Sequence, residues 1–529
     1  MPAIITDQLR ISKAKKFVDQ LSDEANSYYV FVGLPNSNEY DPEWNTSPLS
    51  PRDSFIEEND YWDTMIALKK IKADDVKQCI RKVTWDSGIT YDMYRHDISR
   101  DRLSLPSGAT SLYTSNYYVL NSDYRVYVCL YNGTDPENPS GKPSLDEPTF
   151  TDLEPRAAGD SGDGYIWKYL FSVKPSDIIK FDSVNFIPVP KNWGSDPQTQ
   201  VIRNNASTSG QIKTAVILDR GSNLGRNRIY KNVPIKGDGV GAKATISTNN
   251  DSKVQSIIIS NGGSGYTYGT VDFLNTPGIN LDQTALLPSF DVIIPPNGGH
   301  GYDINRELGA YYVMIYSKIE NDLENPDFIL GNEISRIGIV ENPEQYNSNS
   351  LLVDEKISAL NALKLTGITN PDDFTEARFP PDSYITQTIG LGVTAVGRVI
   401  SYDYNTGVLK YWQDKRLVGF NTDGTKNLSP QYGFSLNKFT PDPDINDGSL
   451  VIRSETIDLQ IDTNFGTEQN PVSAVSINNN TYQLGQSFIN GFSNPEVKKY
   501  SGSVIYVDHR ASITRSPNQR ENVKVILQF

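Results

Sequence analysis

Cysteine, histidine and long apolar runs are what this 529-residue sequence has least of. Two cysteines, Cys79 and Cys129, are too few to staple a chain of this length, and neither lies in a C-x-x-C pair. They read as buried thiols of a protein made in a reducing cytoplasm. The three histidines, His96, His300 and His509, stand far apart, and none falls in an H-E-x-x-H or two-histidine metal spacing. That pattern argues against histidine-based metal or acid–base chemistry. His300 lies in a glycine corner and is expected to hydrogen-bond the turn backbone. No apolar run approaches the roughly 18 residues that span a bilayer. The segment Met1 to Arg10 also lacks the basic-then-apolar plan of a signal peptide. No membrane insertion is expected. A basic excess is missing too: 64 acidic against 49 basic residues give a net charge of −15. A free-standing nucleic-acid binder normally needs a basic face, so no nucleic-acid partner is expected.

The motifs of common catalytic sites are absent as well. There is no G-x-S-x-G elbow, no Walker loop and no suggested Cys–His pairing. The glycine clusters Gly237, Gly239, Gly241 and Gly390, Gly392, Gly397 lack dinucleotide-binding spacing and read as turns. Asp442 to Gly448 resembles the opening of a calcium loop. It carries Asp447 where that loop needs glycine and Arg453 where it needs glutamate. Asp160 and Asp163 are explained more simply by an acidic glycine turn than by a cation. Carboxylates are abundant, but abundance is not a glycosidase pair. The expectation is a protein that is not an enzyme, with no catalytic residues, no cofactor, no metal and no small-molecule substrate.

What the sequence does have is tyrosine, glycine and proline, at 30, 39 and 31 residues. The hydrophobic fraction is only 37%, and tyrosine offsets it by burying a large apolar body behind a polar tip. Many short strands joined by turns are expected. The clearest strand follows the acidic turn Gly159-Asp160-Ser161-Gly162-Asp163-Gly164. There Tyr165, Trp167, Tyr169 and Phe171 share one face, with Ile166, Lys168 and Leu170 on the other. Helical spacing is read at Arg10–Leu21 and Asn59–Leu68, and a helix or turn at Asp74–Ile80 and Leu360–Leu365. Hairpins are read at Tyr117–Leu130 and across Asp403–Gly407, which joins Val393–Tyr402 to Val408–Trp412. From about Gln198 short apolar runs end in glycine corners, twice as Asn-Gly-Gly-x-Gly-Tyr, at Asn261–Tyr266 and Asn297–Tyr302. Ala310–Tyr316, Ile334–Val340, Ser503–Val507 and Val523–Leu527 read as further strands.

Four blocks of the sequence resemble the dimeric baseplate wedge protein of T-even-type contractile-tailed bacteriophages, in a form enlarged by two insertions. The first runs from the Arg10–Leu21 segment through Asn59-Asp60-Tyr61-Trp62-Asp63-Thr64-Met65 to Arg81-Lys82-Val83-Thr84-Trp85. The second is Asn116 to Asn132, and the third is Gly162-Asp163-Gly164-Tyr165-Ile166-Trp167-Lys168-Tyr169-Leu170-Phe171. The fourth is split between Ala310–Pro343 and the tail, with Ser501-Gly502-Ser503-Val504-Ile505-Tyr506 and the terminal Val525-Ile526-Leu527-Gln528-Phe529. The resemblance implies a mainly β fold with a few short helices near the N-terminus. It also implies a discontinuous core of 1–193, 297–345 and 491–529, whose last strands pair with earlier ones. Two small β modules, a glycine-corner one at 194–296 and a hairpin or barrel-like one at 346–490, would interrupt it. The implied function is a virion structural protein of the tail baseplate, assembled in the host bacterial cytoplasm, pairing with itself and docking other wedge proteins around the hub. Its interface residues are not specified. The competing reading is a carbohydrate-binding or glycan-cleaving tail protein that uses the inserted modules.

Overall fold

The computed structural model describes residues 3–23, 25–38, 40–206, 208–281, 283–320, 333–413, 438–441, 443, 445, 448–514 and 519–529. The chain is mainly β, with 38% strand against 13% helix, as a composition rich in turn residues and tyrosine favours. The helices are not confined to the N-terminal region. Beyond Asp7–Leu21 and Phe55–Thr64, short ones occur at Pro175–Phe181, Pro197–Asn205 and Ile304–Glu307. Two of these open on proline, whose missing N–H costs nothing in the first turn. Asp196 caps the second, accepting from Gln198 N and Thr199 N at 3.1 Å each.

Three helical readings give way to strands. The helix over Asn59–Leu68 stops at Thr64, and Met65–Lys70 is a strand. Only one turn of 3-10 helix, Ala73–Asp75, precedes the strand Val76–Arg81. Asn361–Thr366 is a strand paired with Val408–Trp412. Short apolar runs fit either period, and the partner strands that decide the matter lie far off in sequence. Both expected hairpins form, Tyr118–Leu120 with Arg125–Asn132 and Val393–Asp403 with Val408–Trp412. Most of the Asp442–Gly448 loop, and of the polar stretch Asn421–Asp447, lies outside the described residues.

Contacts divide the chain into two compact units. One comprises Met1–Val18, Val76–Met314 and Val525–Phe529; the other comprises Asp19–Asp75 and Ile315–Lys524. This division cuts across the expected discontinuous core rather than following its boundaries.

The first unit holds two cores. The larger surrounds the antiparallel sheet Tyr118–Leu120, Arg125–Asn132, Tyr165–Ser172. Phe529 N donates to Tyr311 O at 3.1 Å, and the Phe17 and Phe529 rings lie 5.3 Å apart, so both ends of the chain are tied into this unit. The smaller core belongs to the glycine-corner segment. Its sheet runs Val254–Asn261, Lys243–Thr248, Ile229–Gly237, Gly269–Val271, and Thr214–Asp219 pairs with Ser289–Ile293. Tyr266 packs against Gly239, where a Cβ would stand 2.4 Å from its ring, so the corner needs glycine there.

The second unit contains a five-stranded antiparallel sheet of order Lys356–Ser358, Met65–Lys70, Tyr28–Gly33, Glu333–Glu341, Ser503–Thr514. The late strand Ser503–Thr514 therefore pairs with Glu333–Glu341 and ends the sheet. A larger curled sheet is built around Leu363, Ile385, Val399, Leu409 and Tyr411, all buried. The hairpin Val472–Ile477 with Asn480–Phe488 completes the unit.

Candidate functional site

The acidic turn and aromatic strand form one structural device. Gly162 and Gly164 adopt φ of 74° and 87°, the left-handed region that glycine enters freely. Between them the Asp163 carboxylate accepts from Leu145 N at 2.9 Å and Tyr165 N at 3.0 Å. Both acceptances are backbone ones, which accounts for this acid by turn geometry. Tyr165, Trp167, Tyr169 and Phe171 are all buried. Tyr165 and Trp167 stack with centroids 5.3 Å apart, and Tyr91 meets Trp167 edge-on at 6.0 Å. The Tyr165 hydroxyl donates to Lys142 O at 2.7 Å and accepts from Tyr91 N at 2.9 Å. The Trp167 indole nitrogen is buried with no acceptor among the described residues.

The opposite face is also buried, which alternation alone did not indicate. Leu170 is fully buried, and Lys168 is only 3% exposed. The Lys168 ammonium donates to Leu153 O at 2.6 Å and Asn205 Oδ1 at 3.0 Å. Burial lowers its pKa to about 8, against the pull of Glu307 and Glu154. His300 is buried too, but its Nδ1 meets Glu307 Oε1 at 2.7 Å rather than the turn backbone. The other Glu307 oxygen takes the turn's Gly301 N–H at 2.7 Å. One carboxylate thus satisfies both the histidine and the corner.

Asp163, Lys168, His300 and Glu307 are all buried and held by fixed partners. No group of three or more His, Cys, Asp or Glu residues is arranged to hold a metal among the described residues. Cys79 and Cys129 are buried free thiols, and burial raises both above the ordinary thiol range. His96 accepts from Ile294 N at 3.2 Å. The glycine clusters divide: Gly241 and Gly392 turn with positive φ, whereas Gly397 lies within a strand, beneath the Tyr411 ring.

The surface that stands out is the edge strand Ser503–Thr514 of the second unit. Twelve residues is long for an edge, and none from 503 to 513 is buried. Its register with Glu333–Glu341 shifts near both ends and leaves a straight run of Tyr506–His509 opposite Ile339–Arg336. Asn342 N donates to Ser27 O at 2.6 Å, so the even residues of Glu333–Glu341 turn their backbone groups toward Tyr28–Gly33. Odd residues then face the edge strand, and Ile339 and Ile337 engage Tyr506 and Asp508. By alternation the N–H and C=O of Val507 and His509 point to the open side, where no ladder partner exists among the described residues.

One face of this strand is rigidly backed. Arg336 is 1% exposed, and its guanidinium lies 4.8 Å over the Trp44 ring and 5.8 Å from that of Tyr61. It donates to Leu34 O at 3.2 Å, to Thr64 Oγ1 and Asn36 Oδ1, and to His509 Nε2 at 3.3 Å. His509 Nδ1 pairs with the Leu49 carbonyl at 2.8 Å, so the proton sits on Nδ1 and Nε2 accepts. Burial and the Arg336 charge hold the His509 pKa down at about 4, so the ring is neutral at pH 7. The Trp44 indole donates to Arg510 O at 3.0 Å.

The free edge carries a palindrome of chemistry about His509. Asp508 and Arg510 flank it, joined along the strand at 2.6 Å. Four residues out on either side are Ile505 and Ile513, 40% and 51% exposed. Sequence reasoning found this strand but not its symmetry, which becomes visible only once the paired side is known. The sequence matches no protein-family model and no curated protein.

Proposed function

We propose that this chain is a structural subunit of a phage contractile-tail baseplate wedge, which pairs with itself and docks other wedge proteins. The observation that carries the reading is the open, self-complementary strand edge of the second unit. A second copy placed antiparallel about His509 sets Asp508 against Arg510, a contact that occurs twice. The outward backbone groups of His509 then exchange with their own copies, extending the sheet across the two-fold. A strand pair alone falls short of the roughly 1,200 Å² a stable interface buries. Exposed Leu49, held beside His509 through its carbonyl, adds apolar area at the rim. The motif blocks, above all Gly162 to Phe171, supply the assignment to a baseplate. No observation favours a glycan-cleaving reading over it.

The test is light scattering on the eluting protein, alone and after co-expression with neighbouring baseplate proteins. A species of twice the 58.9 kDa chain mass that also captures at least one of those proteins is expected. A monomer that captures none overturns the reading.

A further inference from the structure

The second unit contains a cavity of about 440 Å³ between the turn at 346–349 and the segment at 495–500. Its lining includes Lys438, Lys498 and Lys499 and, among the described residues, no aspartate or glutamate. In a chain with 64 acidic and 49 basic residues, a concave surface with cations alone is unusual. Three solvated surface lysines are the bland reading. Their placement argues against it.

Two of the ammonium groups are fixed and still have a donor to give. Lys438 Nζ bonds the Tyr346 hydroxyl and Asn494 Oδ1, the latter at 3.0 Å, both neutral oxygens. Lys498 Nζ bonds Glu344 Oε2 and, at 2.9 Å, Asn349 Oδ1. An ammonium carries three N–H donors, so each retains one among the described residues. The Asn349 amide is oriented by the same contact, its oxygen toward Lys498 and its NH₂ available as a further donor. Lys499 is held at the Asp63 carbonyl, 3.2 Å away. The two nearby carboxylates are already engaged outside the lining: Glu344 by Lys498, and Asp63 by the Tyr500 hydroxyl. Val497 in the lining is fully buried. Positioned cationic and amide donors suit an anion.

We propose that this cavity binds an oxyanion group, carboxylate or phosphate, borne on a hydroxylated ligand such as an acidic sugar. Lys438 and Lys498 supply the charge, and the Asn349 amide supplies a polar contact. The proposal rests on the cavity alone and is independent of the self-pairing of the edge strand.

Titration calorimetry on the full chain in low salt tests it, with D-glucuronate, glucose 6-phosphate and neutral D-glucose as probes. Saturable binding of either charged probe, with glucose inert, is the expected result. Whichever charged probe binds more tightly identifies the source of the oxyanion. Lys438→Gln and Lys498→Gln should each weaken that binding about tenfold, the loss of one charge-assisted hydrogen bond. Unfolding curves of both variants establish that they are folded. Equal binding of glucose, no binding of either charged probe, or full binding by both folded variants overturns the proposal.

Discussion

Two strands of nearly the same alternating texture meet opposite fates. Tyr165–Ser172 pairs along one side with Arg125–Asn132, meets Arg156 on the other through a single bridge at Trp167, and is buried on both faces, so even its lysine is enclosed. Ser503–Thr514 ends a sheet, and its residues from 503 to 513 are at most half-buried. Alternation declares a strand; it does not declare whether both of its faces are covered. The first strand spends its aromatic residues on stability. The second keeps charge and two isoleucines on an unpaired edge, which natural sheets usually blunt or cover. Under the proposed self-pairing, stability and assembly fall to different units of one chain, and mutations should separate them.

The sharpest way to break this contrast is Trp167→Ala. Removing a fully buried indole stacked on Tyr165 should cost ~3–5 kcal/mol in denaturant unfolding. Trp167→Phe should cost distinctly less, because it keeps the ring contact and removes an indole N–H that lacks an acceptor among the described residues. A mild effect of the alanine variant together with lost assembly would move the aromatic face from core to interface.

Next comes Lys168. Its folded pKa of about 8 lies below the ordinary lysine value, so the folded state binds fewer protons than the unfolded chain between pH 8 and about 10.5. Stability therefore rises with pH across that window, as the cost of a buried charge is relieved. The unfolding free energy of the parent minus that of Lys168→Met should climb by about 3 kcal/mol between those limits. A flat difference would show that the amine is not enclosed when charged.

Smaller in energy but diagnostic for the edge is Asp508→Arg. It sets like charges opposite each other twice across the two-fold and should weaken self-association at least about tenfold. Its effect on unfolding should stay within about 0.5 kcal/mol, as for a surface change. The swap Asp508→Arg with Arg510→Asp should restore pairing. Unaltered association of the single variant would place the interface elsewhere.

Last is acid. The folded pKa of His509, about 4, lies below its unfolded value of about 6.5. The stability this neutral ring contributes is present above pH 6.5 and is lost as pH falls toward 4. Two imidazoles also meet at the proposed two-fold, so self-association should weaken as pH falls through about 4, where the folded ring gains its charge. His509→Gln should flatten that dependence in sedimentation measurements.

Much of the fold was legible where one short-range rule decides. Glycine at positive φ with an aspartate between gave the turn before Tyr165, and Asp403–Gly407 gave its hairpin. Met65–Lys70 and Asn361–Thr366 were not legible, because their neighbours come from residues hundreds of positions away or from across the sheet. Lys168 misled for a related reason: a lysine in an alternating strand marks a wet face unless a backbone carbonyl and an asparagine from other segments enclose it. The palindrome about His509 was present in the sequence, yet any strand contains such near-symmetries. It gained meaning only when the register showed Val507 and His509 turned outward.

Amide hydrogen exchange at Val507 and His509, followed across a dilution series, tests that meaning most directly. Protection of both amides at high concentration, lost on dilution and absent in Asp508→Arg, is the predicted result. Fast exchange at both positions in a sample that light scattering shows to be dimeric would contradict it.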